Sequence, residues 1–104
     1  MGYSAREVLY AAVINDSVMF AASLAGCRFY ADEVAAATAV CVVQKNGAQI
    51  ATLTFAAGGT SPTVGDMAAA VRFVPGDRLR VLAPSTPDAT LGGVSFAWFG
   101  ERYA

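Results

Sequence analysis

Six acidic side chains, Asp16, Asp32, Glu33, Asp66, Asp77 and Asp88, are the first candidates for chemistry, as an acid–base pair or a cation site. Their spacing argues against both. Asp77 follows Pro75-Gly76, Asp16 follows Asn15 and Asp88 follows Pro87, positions where an aspartate bonds the backbone of its own turn. No D-x-D-x-D-G loop is present, and Asp32-Glu33 alone has little specificity for a metal. Cys27 and Cys41 have no histidine to activate them, because the chain contains none. Triads of the Ser-His-Asp type and histidine-based metal centres are excluded on the same ground. Gly58-Gly59-Thr60-Ser61 is glycine-rich but lacks the lysine and following helix of a phosphate cradle. No cofactor and no metal are expected, and the chain reads as a non-enzyme.

The remaining chemical candidates are aromatic. Tyr30, Trp98, Phe99 and Tyr103, with Arg28, Arg72, Arg78, Arg80 and Arg102, could form a ligand surface or a subunit contact. With seven basic and eight acidic residues the net charge is −1, which offers no field to steer a polyanion. Nucleic acid is therefore not an expected partner. Charged residues make up 14% of the 104, against about 25% in an average soluble domain. Of the 56% that are hydrophobic, 22 residues are alanine, so apolar volume is modest while the surface is short of charge.

Strands must position these residues. Asn46-Gly47 lies between Ala39–Lys45 and Ala48–Phe55, the composition of a type I′ hairpin. In its second arm Ala51, Leu53 and Phe55 share a face. The first arm is apolar on both faces, as for a strand covered on both sides. Val74-Pro75-Gly76-Asp77 fits a type II turn between a strand at 69–73 and Arg78–Ala83, where Leu79, Val81 and Ala83 alternate with two arginines. Pro84 to Asp88 breaks the pattern, and Gly92-Gly93 introduces a last strand, Val94–Phe99, closed by Gly100. Residues 8–14 suit helix or strand, and two strands before residue 24 are favoured by the β character of the rest. Val34–Thr38 could hold one helical turn. One domain spans 1–104, with 1–7 as an N-terminal arm: an all-β antiparallel sandwich, jelly-roll-like, of seven or eight short strands.

The stretch from Asn46 to Gly65 is free of charge but is interrupted by glycines, Pro62 and threonines, so no membrane insertion is expected. The first residues lack the uniform apolar region of a signal peptide, and synthesis in the cytoplasm with reduced thiols is the expectation.

Gln44–Gly58, with its Lys-Asn-Gly turn, apolar-threonine strand and Ala-Gly, resembles a pattern of bacteriophage tail and tail-fibre domains. Phe73–Pro84 resembles the Gly-Asp, alternating-strand, Ala-Pro segment of the same domains, and Pro87–Leu91 with the closing strand completes it. The resemblance covers residues 18 to 102 and rests on the structural turns Asn46, Gly47, Pro75, Gly76, Asp77, Pro84 and Asp88. It implies a small β-sandwich in a virion, on a tail fibre, baseplate or other surface component, usually trimeric. The implied partners are copies of the chain and other virion proteins. A host-surface glycan- or protein-binding module, or a capsid decoration protein, is the alternative. Tyr30, Trp98 and Tyr103 on an open concavity would favour recognition, and the same aromatics inside a subunit contact would favour assembly; in the closing strand Phe96 and Trp98 can face the core while Ala97 and Phe99 face a neighbour.

Overall fold

A computed structural model of the chain describes residues 5–85 and 90–103. It is all-β with antiparallel pairing throughout. Among the described residues there are ten strands: β1 (Val8–Val13), β2 (Val18–Phe20), β3 (Arg28–Glu33), β4 (Ala39–Lys45), β5 (Ala48–Phe55), β6 (Thr63–Gly65), β7 (Val71–Phe73), β8 (Arg78–Leu82), β9 (Gly92–Ala97) and β10 (Glu101–Arg102). They form a five-stranded sheet in the order β1-β8-β4-β5-β6, a three-stranded sheet β10-β2-β7 and a two-stranded sheet β3-β9. One core joins all three, a sandwich-like arrangement. Phe20 and Phe73 come from the second sheet, Phe29 and Ala31 from the third, and Cys41, Val43, Leu53, Phe55, Leu79 and Val81 from the first.

The alternation expected in β5 and β8 is present, with Ala51, Leu53, Phe55, Leu79, Val81 and Ala83 buried. The early region forms two strands, β1 and β2, as favoured. Several boundaries differ from the sequence expectation. The count rises from seven or eight to ten: β3 is not among the strands expected, and β6 and β10, of three and two residues, are too short to show a period. Val34–Thr38 holds bends and no helical turn; among the described residues the one turn of 3₁₀ helix lies at Ala22–Leu24. The alanines of that connection are weak evidence for helix, since nucleation needs more length than so short a segment supplies. The strand expected at 69–73 starts at Val71. The closing strand ends at Ala97 instead of Phe99, and Gly100 leads into β10, which pairs with β2. The first hairpin arm is buried on one face only: Val40 is 40% exposed and Val42 half-buried.

The two turns are built as their residues require and are locked to each other. Asn46 (φ 53) and Gly47 (φ 86) both take positive φ, the type I′ condition. Gly76 has φ 97 and Asp77 N–H donates to Val74 O at 3.0 Å, the type II pattern. Asn46 Nδ2 donates to Asp77 Oδ1 at 3.0 Å, and Arg78 N–H donates to Asn46 Oδ1 at 2.8 Å. Val74 N–H donates to Asp77 Oδ2 at 2.9 Å, and Lys45 Nζ lies 3.8 Å from the same oxygen. A hairpin tip and a turn 31 residues away thus share one hydrogen-bond set.

Gly47 offers a clean test of this geometry, since a Cβ there would meet nothing within 4 Å. Gly47→Val is therefore expected to cost about 1–2 kcal/mol through the positive φ alone, read as a lower urea midpoint with unchanged slope. A wild-type midpoint would contradict the turn assignment.

The lock also predicts a pH effect. Hydrogen bonds from Asn46 and Val74, with Lys45 nearby, hold the Asp77 carboxyl below its ordinary value of 3.8. A carboxylate lowered in the folded state adds stability that is complete above 3.8 and is lost as pH falls through the lowered folded value. Stability is expected to fall with acidification through that range, and Asp77→Asn to flatten this dependence. Parallel pH profiles for the two proteins would contradict it.

Candidate functional site

The sheet order gives the five-stranded sheet an outer face turned away from the core. Because Leu79 and Val81 face inward, Arg78, Arg80 and Leu82 face out; β4 likewise turns out Val40, Val42 and Gln44. The register shift after Val8 puts Val8 on this face as well. One row crosses the whole sheet: Val8 opposite Leu82, Leu82 opposite Val42, Val42 opposite Thr52, and Thr52 opposite Gly65. The next row is Val40, Thr54 and Thr63. Toward the other end, Ala11 lies opposite Arg80 and Val13 opposite Arg78.

An antiparallel sheet with one face in water alternates apolar-in with polar-out. Here two adjoining rows carry valine, leucine and threonine, with Arg78, Arg80 and Gln44 on the same face toward its other end, and among the described residues Leu82, Val42 and Thr52 are half-buried by their neighbours on the face. Val8 is 48% and Val13 68% exposed. The sequence signal for this face was Val40-Cys41-Val42-Val43, which calls for cover on both sides. One of those sides is open in the single chain.

A second surface surrounds Tyr30. An open groove of about 460 Å³ runs between the β3-β9 sheet and β6, lined by Arg28, Tyr30, Ser61, Pro62, Val64 and Ser95 among others. The Tyr30 side chain is half exposed, and Arg28 is the groove's charged residue. The Gly58–Ser61 loop helps build it: Ala31 N–H donates to Thr60 O at 2.8 Å and Gly58 N–H to Ala35 O at 2.9 Å.

The other aromatic candidates are not brought to that groove. Trp98 packs among Tyr10, Phe20 and Phe29 with ring centroids 5.4, 5.9 and 5.2 Å away, and stacks parallel to Phe96 at 6.1 Å. Its Nε1 is buried without a partner among the described residues. Tyr103 donates its hydroxyl to Phe73 O at 3.1 Å, and the Arg72 guanidinium lies over its ring at 5.2 Å. Phe99 lies beyond β9 with 53% of its surface exposed.

No family model, curated protein or solved structure matches this chain.

Of the acidic candidates, Asp77 is held in the turn lock and Asp16 by its own turn and Arg102, while Asp32, Glu33 and Asp66 are exposed. Asp16 accepts from Ser17 N–H at 3.0 Å and from Arg102 Nε at 2.7 Å, and Arg102 Nη2 also donates to it. The Arg102 guanidinium, then the Ser17 amide, hold its carboxyl below the ordinary value. Pro84 is buried and its carbonyl accepts from Arg6 N–H at 3.2 Å; Asp88 lies outside the described residues. Among the described residues no group of three His, Cys, Asp or Glu side chains is placed to hold a metal ion. No helix among them is long and apolar enough to cross a membrane.

Both cysteines are free thiols. Burial pushes the Cys41 thiol up to about 11. Cys27 is raised too, by partial burial offset by its bond with Phe99, whose N–H donates to Sγ at 3.2 Å. Only thiolate reacts quickly. A neutral-pH thiol reagent is expected to label the native protein slowly at Cys27 and not at Cys41, and both after denaturation without reductant. Rapid labelling of Cys41 in the native protein would contradict the packing of β4.

Proposed function

We propose that this chain is a non-enzymatic structural subunit of a bacteriophage virion, a tail-fibre, baseplate or other surface component. Its work is to assemble with copies of itself, as a trimer, and with other virion proteins; made in the host cytoplasm, it ends in the particle. The observation that carries this reading is the outward-facing row Val8-Leu82-Val42-Thr52 across the five-stranded sheet, with Val8 exposed and the other three half-buried. Contiguous apolar surface of this kind marks interaction sites, and a chain with 14% charged residues has little else to keep it apart from its neighbours. Exposed Phe99 supplies a second contact at the other sheet. The turn pattern shared with tail-fibre domains supports the virion setting, and a jelly-roll-like connection of the strands belongs to the same reading. Mass spectrometry of density-purified phage particles from a lysate expressing the chain tests membership. Its recovery in stoichiometric amounts is expected, and its absence from particles overturns the proposal.

Tyr30 favours a second reading, a recognition module for a host-surface ligand. A half-exposed aromatic ring beside Arg28 and two serines on an open groove suits a saccharide or peptide. Binding to a surface-glycan array that is lost in Tyr30→Ala would establish it, and an array without signal would remove it.

A further inference from the structure

We infer that the groove beside Tyr30 takes an acidic saccharide: the Arg28 guanidinium holds a sugar carboxylate, and the Tyr30 ring carries the apolar face of the sugar. This rests on the recognition reading of the same groove and narrows its ligand.

The groove is built by alternation along two paired strands. On β3 the side chains of Arg28, Tyr30 and Asp32 turn away from the core, while Phe29 and Ala31 are buried. Small residues stand opposite them on β9: Ala97 faces Arg28 and Ser95 faces Tyr30. Nothing large covers the Tyr30 ring from that side, and 51% of the residue is exposed. Ser61, Pro62 and Val64 form the other wall, and the volume of about 460 Å³ suits a small ligand.

Backbone geometry decides against a peptide strand. Strand addition needs a run of free N–H and C=O groups along a sheet edge. On this edge of β3, Cys27 N–H donates to Leu24 O at 3.0 Å and Ala31 N–H to Thr60 O at 2.8 Å. Backbone groups of a paired strand alternate in direction, so Phe29 alone is left between them to meet a ligand. One peptide unit is too few for a ladder. A sugar needs no such run. The C–H face of a pyranose lies on an aromatic ring, and its hydroxyls pair with hydroxyls such as those of Ser61 and Ser95.

Charge decides the kind of sugar. Arg28 is the charged residue of the lining, and among the described residues its guanidinium has no hydrogen-bond or ion-pair partner. Arg102, by contrast, is committed to Asp16, and Arg72 to the Tyr103 ring. The nearby acidic residues leave Arg28 its charge. Asp32 shares its face, but four residues of strand place it about 13 Å away, past the screening length of about 8 Å in physiological salt. Glu33 belongs to the opposite face of β3, and Asp66 follows the end of β6 outside the lining. A guanidinium fork meets a carboxylate with two parallel N–H···O bonds, and one cation balances one carboxylate.

A glycan array with uronate- and sialate-bearing oligosaccharides beside their neutral counterparts tests this on the wild type, Arg28→Gln and Tyr30→Ala. The wild type is expected to prefer the acidic members. Arg28→Gln is expected to bind them about tenfold or more weakly with an unchanged thermal midpoint, because the side chain is exposed and unpaired. Tyr30→Ala is expected to lose acidic and neutral members alike. As a second measurement, saturation-transfer NMR with a galacturonic acid trisaccharide at about 1 mM, where even weak binding registers, is expected to show contact in the wild type and its loss in Arg28→Gln. Equal binding of acidic and neutral members, or an acidic preference that survives Arg28→Gln, overturns the carboxylate assignment and leaves the recognition reading standing. Silence from every saccharide in both measurements overturns the two together.

Discussion

Phe73→Ala is expected to lower the unfolding free energy by about 3–5 kcal/mol, the range for deleting a fully buried phenylalanine. The ring has no exposed surface. It meets the Phe20 ring edge-on at 5.4 Å, and Lys45 Nζ lies 5.3 Å from its centroid. Phe73 ends β7, so the cavity would open between the three-stranded sheet and the hairpin that the turn lock holds in place. Backbone on both sides is fixed by β-pairing and cannot close the space. Domains of this size have about 5–15 kcal/mol in total, and the variant is expected to be partly unfolded at physiological temperature. A urea midpoint within experimental error of wild type would show that the two sheets do not share a core at Phe73.

The other large effect concerns the outer face. Val42→Lys combined with Leu82→Glu places two charges at directly opposed positions of β4 and β8. Both side chains are half-buried and point away from the core, and the new charges attract each other across the strands, so folding stability is expected to change by less than about 1 kcal/mol. Assembly through that face would instead bury charges away from the water that solvates them. Association is expected to weaken by about a hundredfold or more. Unchanged association, with the fold intact, would move the contact elsewhere on the molecule, and Phe99→Glu would then identify the exposed aromatic as the alternative.

Much of the local architecture was legible because single residues decide it. Asn46-Gly47 admits positive φ twice, Pro75-Gly76 fixes a type II turn, and the Leu79-Val81-Ala83 alternation needs no partner to be recognised. The parts that were not legible depend on strands distant in sequence. β3 alternates Phe29 and Ala31 with Arg28, Tyr30 and Asp32, but its period is masked by neighbours of mixed character. β10 is two charged residues whose strand conformation exists only because β2 lies beside it. Tyr103 read as a contact aromatic until Arg72 and the Phe73 carbonyl were in place, whereas Trp98 packs against the core with Phe96, as the alternation of the closing strand allowed.

The candidate surface was half visible. Val40-Cys41-Val42-Val43 announced apolar character on both faces of β4. Which residues extend the second face could not be read, because Val8 and Leu82 reach Val42 only through the order β1-β8-β4. The register shift at Leu9 also reverses the parity of Val8, so that periodicity alone places it on the wrong side. The Asn46–Asp77 lock was hidden for the same reason. Each partner reads as a turn residue, and their meeting is a consequence of β8 pairing with β4.

The central claim is that this chain works as an assembled subunit, and sedimentation equilibrium of the wild-type protein over micromolar concentrations tests it most directly. The account predicts a mass that is a whole-number multiple, above one, of the 10.7 kDa chain. A single species at 10.7 kDa across that range would contradict it.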